Sequence, residues 1–442
     1  MNMGQIQHVH LVGIGGIGVS AVARYMLVHG KHVSGSDLAP SAITDALVSR
    51  GAAVIFGEHR KESVAADVDL LVYSPAISKD NPERVEAEHR GIAILSYPEM
   101  VGELMEGHVR IVVAGTHGKS TTSAMVGRIF QKAGLDPTVI VGSLVPGFDG
   151  NVLVGNGKFF IVEGDEYQAS FLRYKPDCLI ITNIEADHLD FYKDLDDVKQ
   201  SFHALAKKVP PEGFIVANIE DRNVLDVCHH LRSRVLWFGK GDTHESEITP
   251  LKIPGRHNIN NALAACMLAC ELGVAMDIIA SALKEFPGIW RRFEVKGESN
   301  GVTIIDDYAH HPTEIRATLK AAKEKYPGRR IWCIFQPHQR NRTRMLFQDF
   351  VNSFQDADKL VLTEIFFVEG REAGESINAK NLFDEILKHR DLQYIPQLGS
   401  IISGVLPQLK RGDVVITMGA GSITRISGDF LRALSELPRA LR

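Results

Sequence analysis

The sequence predicts an α/β protein of about three domains built on doubly wound, mostly parallel sheets. Three observations predict it. Short apolar β-branched runs recur along the chain, each followed by a polar or glycine-rich turn and then by apolar residues at helical spacing. Two of those turns, at residues 13–18 and 115–120, have the strand, glycine turn and helix order that aims backbone N–H groups at a phosphate. The length, 442 residues, is about three times that of a typical domain.

Composition excludes several classes. A hydrophobic fraction of 45%, a charged fraction of 23% and a net charge of −5 are ordinary for a soluble globular chain and offer no dense basic surface for nucleic acid. No basic leader precedes a long apolar run, and no stretch approaches about 18 uninterrupted apolar residues, so neither a signal peptide nor a membrane span is expected. The five cysteines are odd in number and scattered, which argues for a reducing cytoplasm rather than a disulfide framework. Cys266 and Cys270 stand four apart in a helical pattern, with no second pair or histidine to complete a metal site, and are expected in the core.

In chain order, IQHVHLV, GIGGIGVSAVARYMLVHG and KHVSGSD (residues 6–37) read as strand, glycine turn with helix, and strand. Gly13, Gly15 and Gly18 satisfy G-x-G-x-x-G, and Asp37 ends the next strand where a ribose-binding acid belongs. A glycine turn at a helix N-terminus binds any diphosphate, so a sugar nucleotide suits it, and NAD with an oxidoreductase activity is the alternative. AAVIFG, VDLLVYSPAI and GIAILSYPEM continue the parallel sheet, with Ser74 at a strand's carboxyl end, where side chains face a ligand crevice.

The stretch VRIVVAGTHGKSTTSAMVGRIF (residues 109–130) is a second strand, tight turn and helix. Gly115, Thr116, His117 and Gly118 form the turn, Lys119 can reach β- and γ-phosphates, and Ser120 can ligate Mg²⁺. Val113 replaces the first glycine of G-x-x-x-x-G-K-[ST], and a solvated lysine in an ordinary turn is the plainer alternative. KFFIVEGDEYQASF and PDCLIITNIEADHLDFY then read as strands ending in Glu163, Asp165, Glu166, Glu185, Asp187 and His188, a set suited to Mg²⁺ held jointly with nucleotide phosphates. GRHNINNALAACMLACELG starts a helix with Asn258 and Asn261 near its beginning, where capping is the plain role.

FPGIWRRF reads as a linker to a third α/β region that opens with GVTIIDDYAHHPTEIRATLKAA, a strand followed by Asp306, Asp307, Tyr308, His310 and His311 and a helix begun by Pro312 and Thr313. RRIWCIFQPHQRNRTRMLFQDF is a strand ending in His338, Arg340, Arg342 and Arg344, and KLVLTEIFF and DVVITMGAGSI complete the series. Polar groups at successive strand ends are the rim of a doubly wound sheet.

Taken together, AGTHGKSTT, EGDEYQASF, TNIEADHLD, GRHNINNALAA, RRFE and DDYAHHPTE, in that order over essentially the whole chain, resemble the Mur ligase family. The resemblance implies three domains: residues 1–107, Rossmann-like and UDP-sugar-binding; 108–297, a central P-loop-type ATP-binding domain; and 298–442, a Rossmann-like domain for the amino acid. It implies a cytoplasmic enzyme, monomer or homodimer, that uses ATP and Mg²⁺ to join L-alanine to UDP-N-acetylmuramate through an acyl phosphate and a tetrahedral intermediate in peptidoglycan precursor synthesis. The alternative within the family attaches a preformed tripeptide in peptidoglycan recycling.

Carried onto this chain, the resemblance gives catalytic roles to Lys119, Glu166 and His188, with Ser120, Glu166 and His188 as metal ligands. ATP would be held by Gly115 to Thr121 (Gly115, Thr116, His117, Gly118, Lys119, Ser120, Thr121), by Asn258 and Asn261 at the adenine, and by Arg292 and Asp307. Gly13, Gly15, Gly16, Gly18, Asp37 and Ser74 would grip the UDP-sugar. Tyr308, His310, His338 and Arg342 would surround the amino acid. Two positions depart from the family pattern: Gln339 where some alanine-adding members carry arginine, and Ser422 in place of a common aspartate.

Overall fold

The computed structural model describes residues 3–367, 377–388 and 392–436. Three sheets carry the chain. The first has strands β1 (His8–Val12), β2 (His32–Asp37), β3 (Ala53–Phe56), β4 (Leu70–Tyr73) and β5 (Ala93–Ser96) in the order β3-β2-β1-β4-β5, all parallel. The order reverses between β1 and β4, so the crevice at their carboxyl ends is where such a sheet takes a ligand.

The second sheet contains β6 (Val109–Ala114), β7 (Thr138–Ile140), β8 (Val152–Leu153), β9 (Phe159–Glu163), β10 (Cys178–Ile181), β11 (Phe214–Asn218) and β12 (Arg234–Phe238). Their order is β12-β11-β10-β6-β9-β7-β8, parallel except for the β7–β8 pair. Its central strands are unbroken apolar runs because helices cover both faces. Ile111, Val112, Val113 and Ala114 of β6 and Leu179, Ile180 and Ile181 of β10 are all inaccessible to solvent.

The third sheet runs β13-β14-β18-β15-β16-β17, from β13 (Glu294–Ser299), β14 (Val302–Asp307), β15 (Ile331–Phe335), β16 (Lys359–Leu362), β17 (Gln393–Tyr394) and β18 (Val414–Met418). The period-2 geometry of a strand sorts it into two cores. Ile305, Ile331, Cys333, Phe335, Val414 and Ile416 pack on one face, while Ile304, Trp332, Ile334 and Val415 pack on the other.

By packing, the chain forms two compact units. The first comprises the chain up to Glu185 with Asp196–Pro250 and Asn260–Phe286, and so contains the first two sheets. The second comprises Ala186–Leu195, Leu251–Ile259 and the chain from Pro287, and contains the third sheet.

Each strand expected from an apolar run is present; of the additional ones, β7, β8 and β17 are two or three residues long and β13 is polar, whereas β11 (FIVAN) and β12 (RVLWF) are apolar runs that the sequence analysis did not single out. β13 is the informative case. It pairs antiparallel at the sheet edge with β14 and precedes the strand expected to open the third region, and a start at residue 298 would cut it. Its sequence, EVKGES, carries no apolar run, because an edge strand with an exposed side needs none. The expected linker is packed rather than tethering: Arg291 and Phe293 are buried, and both have left-handed backbone (φ 56° and 49°).

Candidate functional site

In the first sheet, the carboxyl ends of β1, β2 and β4 assemble the expected glycine turn. Gly13 N donates to Ser36 O at 2.9 Å, and Gly15 N donates to the Asp37 carboxylate at 2.8 Å. Gly16 caps the helix Ile17–Val28, and Gly18 lies against the Tyr97 ring with no room for a side chain (an added Cβ would sit 2.8 Å from it). Ser74 follows β4 and stands against Gly13. All six sequence-predicted residues of this turn are thus at one crevice.

The second glycine turn is more elaborately held. Thr116 N donates to Asn183 O at 2.9 Å, His117 N to the Asn183 side chain at 2.8 Å, and Glu185 N to Thr116 Oγ1 at 2.9 Å. Thr182 Oγ1 donates to His117 O at 2.6 Å. The segment after β10 therefore cradles the turn from below. Gly115 has φ 142°, and a Cβ there would lie 1.9 Å from Thr182 Oγ1. Gly118 has φ 84° and caps the helix Lys119–Lys132, with the Asn261 amide 2.4 Å from where its Cβ would be. Both positions favour glycine, because a residue with a Cβ there would adopt strained backbone and force the facing side chain to shift. Thr121 is buried in the helix's first turn.

Lys119 Nζ donates to Gly115 O at 2.6 Å and Thr116 O at 3.0 Å, and pairs with Glu166 at 2.7 Å. Burial alone would lower the ammonium's pKa, but the buried Glu166 carboxylate outweighs it, and the pKa stands above the usual lysine value. The Ser120 hydroxyl donates to Glu163, not Glu166, at 2.9 Å, and the other Glu163 oxygen accepts Gly142 N at 2.6 Å. Glu163 belongs to the strand-end set that the sequence marks as suited to Mg²⁺, but the resemblance leaves it out of the metal ligands, naming Ser120, Glu166 and His188 instead. The available signal was its position as the last residue of β9, the strand paired to β6.

In the second compact unit, β14, β15 and the 186–190 segment build a polar cluster. Arg342 Nε and Nη2 both donate to Asp187 Oδ1, at 3.1 and 3.0 Å, and both residues are only 8% exposed. Burial would raise Asp187, but Arg342 overrides it and holds the carboxyl far below the usual carboxylate range. Arg342 Nη1 faces His338 Nδ1 at 3.4 Å, and His338 stacks on Phe366 at 5.6 Å. A small cavity beside this pair is lined by Asp187, His188, Gln339 and Arg342.

His310 Nδ1 lies 3.0 Å from Tyr308 O, and burial pushes its pKa down to about 3, so the ring is neutral near pH 7. Asp307 accepts Phe293 N and Ala309 N, both at 2.7 Å, and burial raises its carboxyl to about 6 against the pull of Arg292. Arg292 pairs with Glu314 at 3.0 Å and lies over the Tyr308 ring. Tyr308, His310, His338 and Arg342 thus belong to one neighbourhood, with Arg292 and Asp307 adjoining through Tyr308. Of the remaining predicted residues, Asn258 and His188 fall in this second unit, Asn258 Nδ2 donating to Pro254 O at 2.7 Å. Gln336 Nε2 lies 3.5 Å from the Ser422 hydroxyl.

Three family models match consecutive parts of the chain: the Mur ligase family catalytic domain over residues 8–109, the Mur ligase middle domain over 113–269, and the Mur ligase glutamate ligase domain over 291–421. The chain is 41% identical to a UDP-N-acetylmuramate–L-alanine ligase of Geobacter sulfurreducens, over 99% of this chain and 100% of that one. Among solved structures, a UDP-N-acetylmuramate–alanine ligase of Thermotoga maritima superposes with a TM-score of 0.80 at 29% identity, covering 97% of this chain and 99% of that one. A murein peptide ligase of Psychrobacter arcticus superposes with a TM-score of 0.71 at 26% identity, covering 98% and 99%.

Proposed function

The chain belongs to the Mur ligase family, and on that premise we propose that it joins L-alanine to UDP-N-acetylmuramate at the expense of ATP, as a step of peptidoglycan precursor synthesis. The observation that carries this reading is the 41% identity, end to end, with an alanine-adding relative. Attachment of a preformed tripeptide has weaker support, from a 26% identical neighbour. The oxidoreductase reading of Gly13–Gly18 gives way, since the same turn lies within a ligase domain.

A carboxylate is a poor acyl donor, and phosphorylation by ATP gives it a leaving group; the amine of L-alanine then attacks the acyl phosphate, and phosphate departs from the tetrahedral intermediate. The burden on the protein is positioning and charge neutralisation. Lys119, held charged by Glu166, is the cation for the transferred phosphoryl group. Ser120 Oγ and Glu163 Oε1, 2.9 Å apart, are hard oxygen donors that fit Mg²⁺, with Glu166 and His188 as further candidates. Bound there, Mg²⁺ would neutralise phosphate charge. Asn261, against Gly118, together with Asn258, Arg292 and Asp307, would hold the nucleoside.

On the amino-acid side, Asp187 positions Arg342, whose Nη1 is left beside His338 for the alanine carboxylate. Neutral His310, with Nδ1 toward Tyr308 O, would present Nε2 to the amino group. The three-domain division at residues 107 and 297, with the second boundary moved ahead of Glu294 to keep β13 whole, is part of this proposal. So are a cytoplasmic location and a monomeric or homodimeric state.

Phosphate release by the purified chain tests the reading. It should require ATP, UDP-N-acetylmuramate and L-alanine together. Faster release with L-alanyl-γ-D-glutamyl-diaminopimelate than with L-alanine would replace this activity with tripeptide attachment.

A further inference from the structure

The amino ends of the first sheet's strands, opposite the glycine turn, carry a side-chain cluster that ligase chemistry does not use. His8 and His32 open β1 and β2 and are register partners, with ring centroids 3.9 Å apart. Asp67 precedes β4 and places Oδ2 3.1 Å from His8 Nδ1. Ligand atoms of His8, His32 and Asp67 all lie within 4.8 Å of one another.

A buried hydrogen-bond chain fixes which nitrogen His8 turns toward Asp67. Ser34 Oγ lies 2.8 Å from His8 Nε2 and 2.8 Å from His10 Nδ1, and His10 Nε2 lies 2.7 Å from the fully buried Glu83 carboxylate. Because Ser34 engages Nε2, Nδ1 is the His8 nitrogen left to face Asp67. This atom is buried, makes no well-aligned hydrogen bond, and stands 3.1 Å from a carboxylate oxygen. A metal ion held between the two would take both as ligands.

We propose that His8, His32 and Asp67 form a divalent transition-metal site of the zinc type, which the chain carries independently of its ligase centre. Two imidazoles and a carboxylate are the donor set of a zinc site with an open fourth position. The 3.1 Å separation is near the roughly 3.3 Å edge of a tetrahedron with metal–ligand bonds of about 2.0 Å. Ser34 supplies the outer hydrogen bond that fixes the tautomer and orientation of a ligating histidine. Asp67 is 71% exposed and His32 is exposed, so an ion can enter from solvent. The ligands come from three separate segments, so metal would staple the start of β1 to β2 and to the approach of β4.

Calorimetric titration of the metal-free full chain with Zn²⁺ tests this, with Co²⁺ absorption as the report on coordination. His32→Ala and Asp67→Ala remove exposed side chains and leave the sheet's core intact. Wild type should take up Zn²⁺ with a component that each variant weakens by about tenfold or more, and its visible Co²⁺ bands should be lost in His32→Ala. If both variants titrate as wild type, or if wild type binds no Zn²⁺, the proposal fails and a proton on His8 occupies the position instead.

Discussion

The two glycine turns share one local design and differ in what surrounds it. Each follows a parallel strand and opens a helix. At the first, the charged group against the turn is Asp37 at the end of β2, which accepts Gly15 N–H and shapes the loop. At the second, a lysine on the turn is matched by Glu166, a hydroxyl is matched by Glu163, and a separate segment from Thr182 to Glu185 supports the loop from behind. The backbone geometry suffices to hold a diphosphate. Moving a phosphoryl group also needs a fixed cation and oxygen donors for a metal, and of the two turns the second has them among the described residues.

Substitutions can break this contrast. Lys119→Ala should have the largest effect, lowering turnover by about 10²–10³-fold or more while UDP-N-acetylmuramate affinity, read by calorimetry, stays near wild type. Equal loss of both would dissolve the distinction between the turns. Gly115→Ala comes next. The new Cβ would collide with Thr182, so the loop must shift, and we expect loss of ATP affinity with about 1–3 kcal/mol of destabilisation in thermal unfolding.

Glu163→Gln sharpens the comparison. If Ser120 and Glu163 hold Mg²⁺, the Mg²⁺ concentration for half-maximal activity should rise by about tenfold or more, whereas Glu166→Gln should act mainly on kcat through Lys119. Identical Mg²⁺ curves for wild type and Glu163→Gln would remove Glu163 from the metal. Asp37→Asn should be mildest, costing about 1.5 kcal/mol through the lost charge-assisted bond to Gly15. That is roughly a tenfold rise in KM for UDP-N-acetylmuramate, with kcat unchanged.

What could be read in advance divides along the same line. Both turns were legible because strand, glycine turn and helix are contiguous in the chain. β14, β15, β16 and β18 of the third sheet were legible as apolar runs, since burial on both faces demands them. Pairing across the sheet was not. Ser120 finds Glu163 only because β9 lies beside β6, and Asn183 reaches His117 only because β10 lies on β6's other side. Arg342 reads as a ligand for a substrate carboxylate, but the fold brings it against Asp187 first. β13 escaped notice because an antiparallel edge strand can be polar throughout.

The partners of Lys119 also decide how that amine behaves toward reagents. Acylating and aldehyde probes need a free-base nitrogen, and two carbonyls with a carboxylate keep this one protonated and anchored. Lysine-directed labelling should therefore mark exposed side chains such as Lys175 well before it reaches the phosphate loop. Covalent inhibitors aimed at this loop are better directed at another nucleophile.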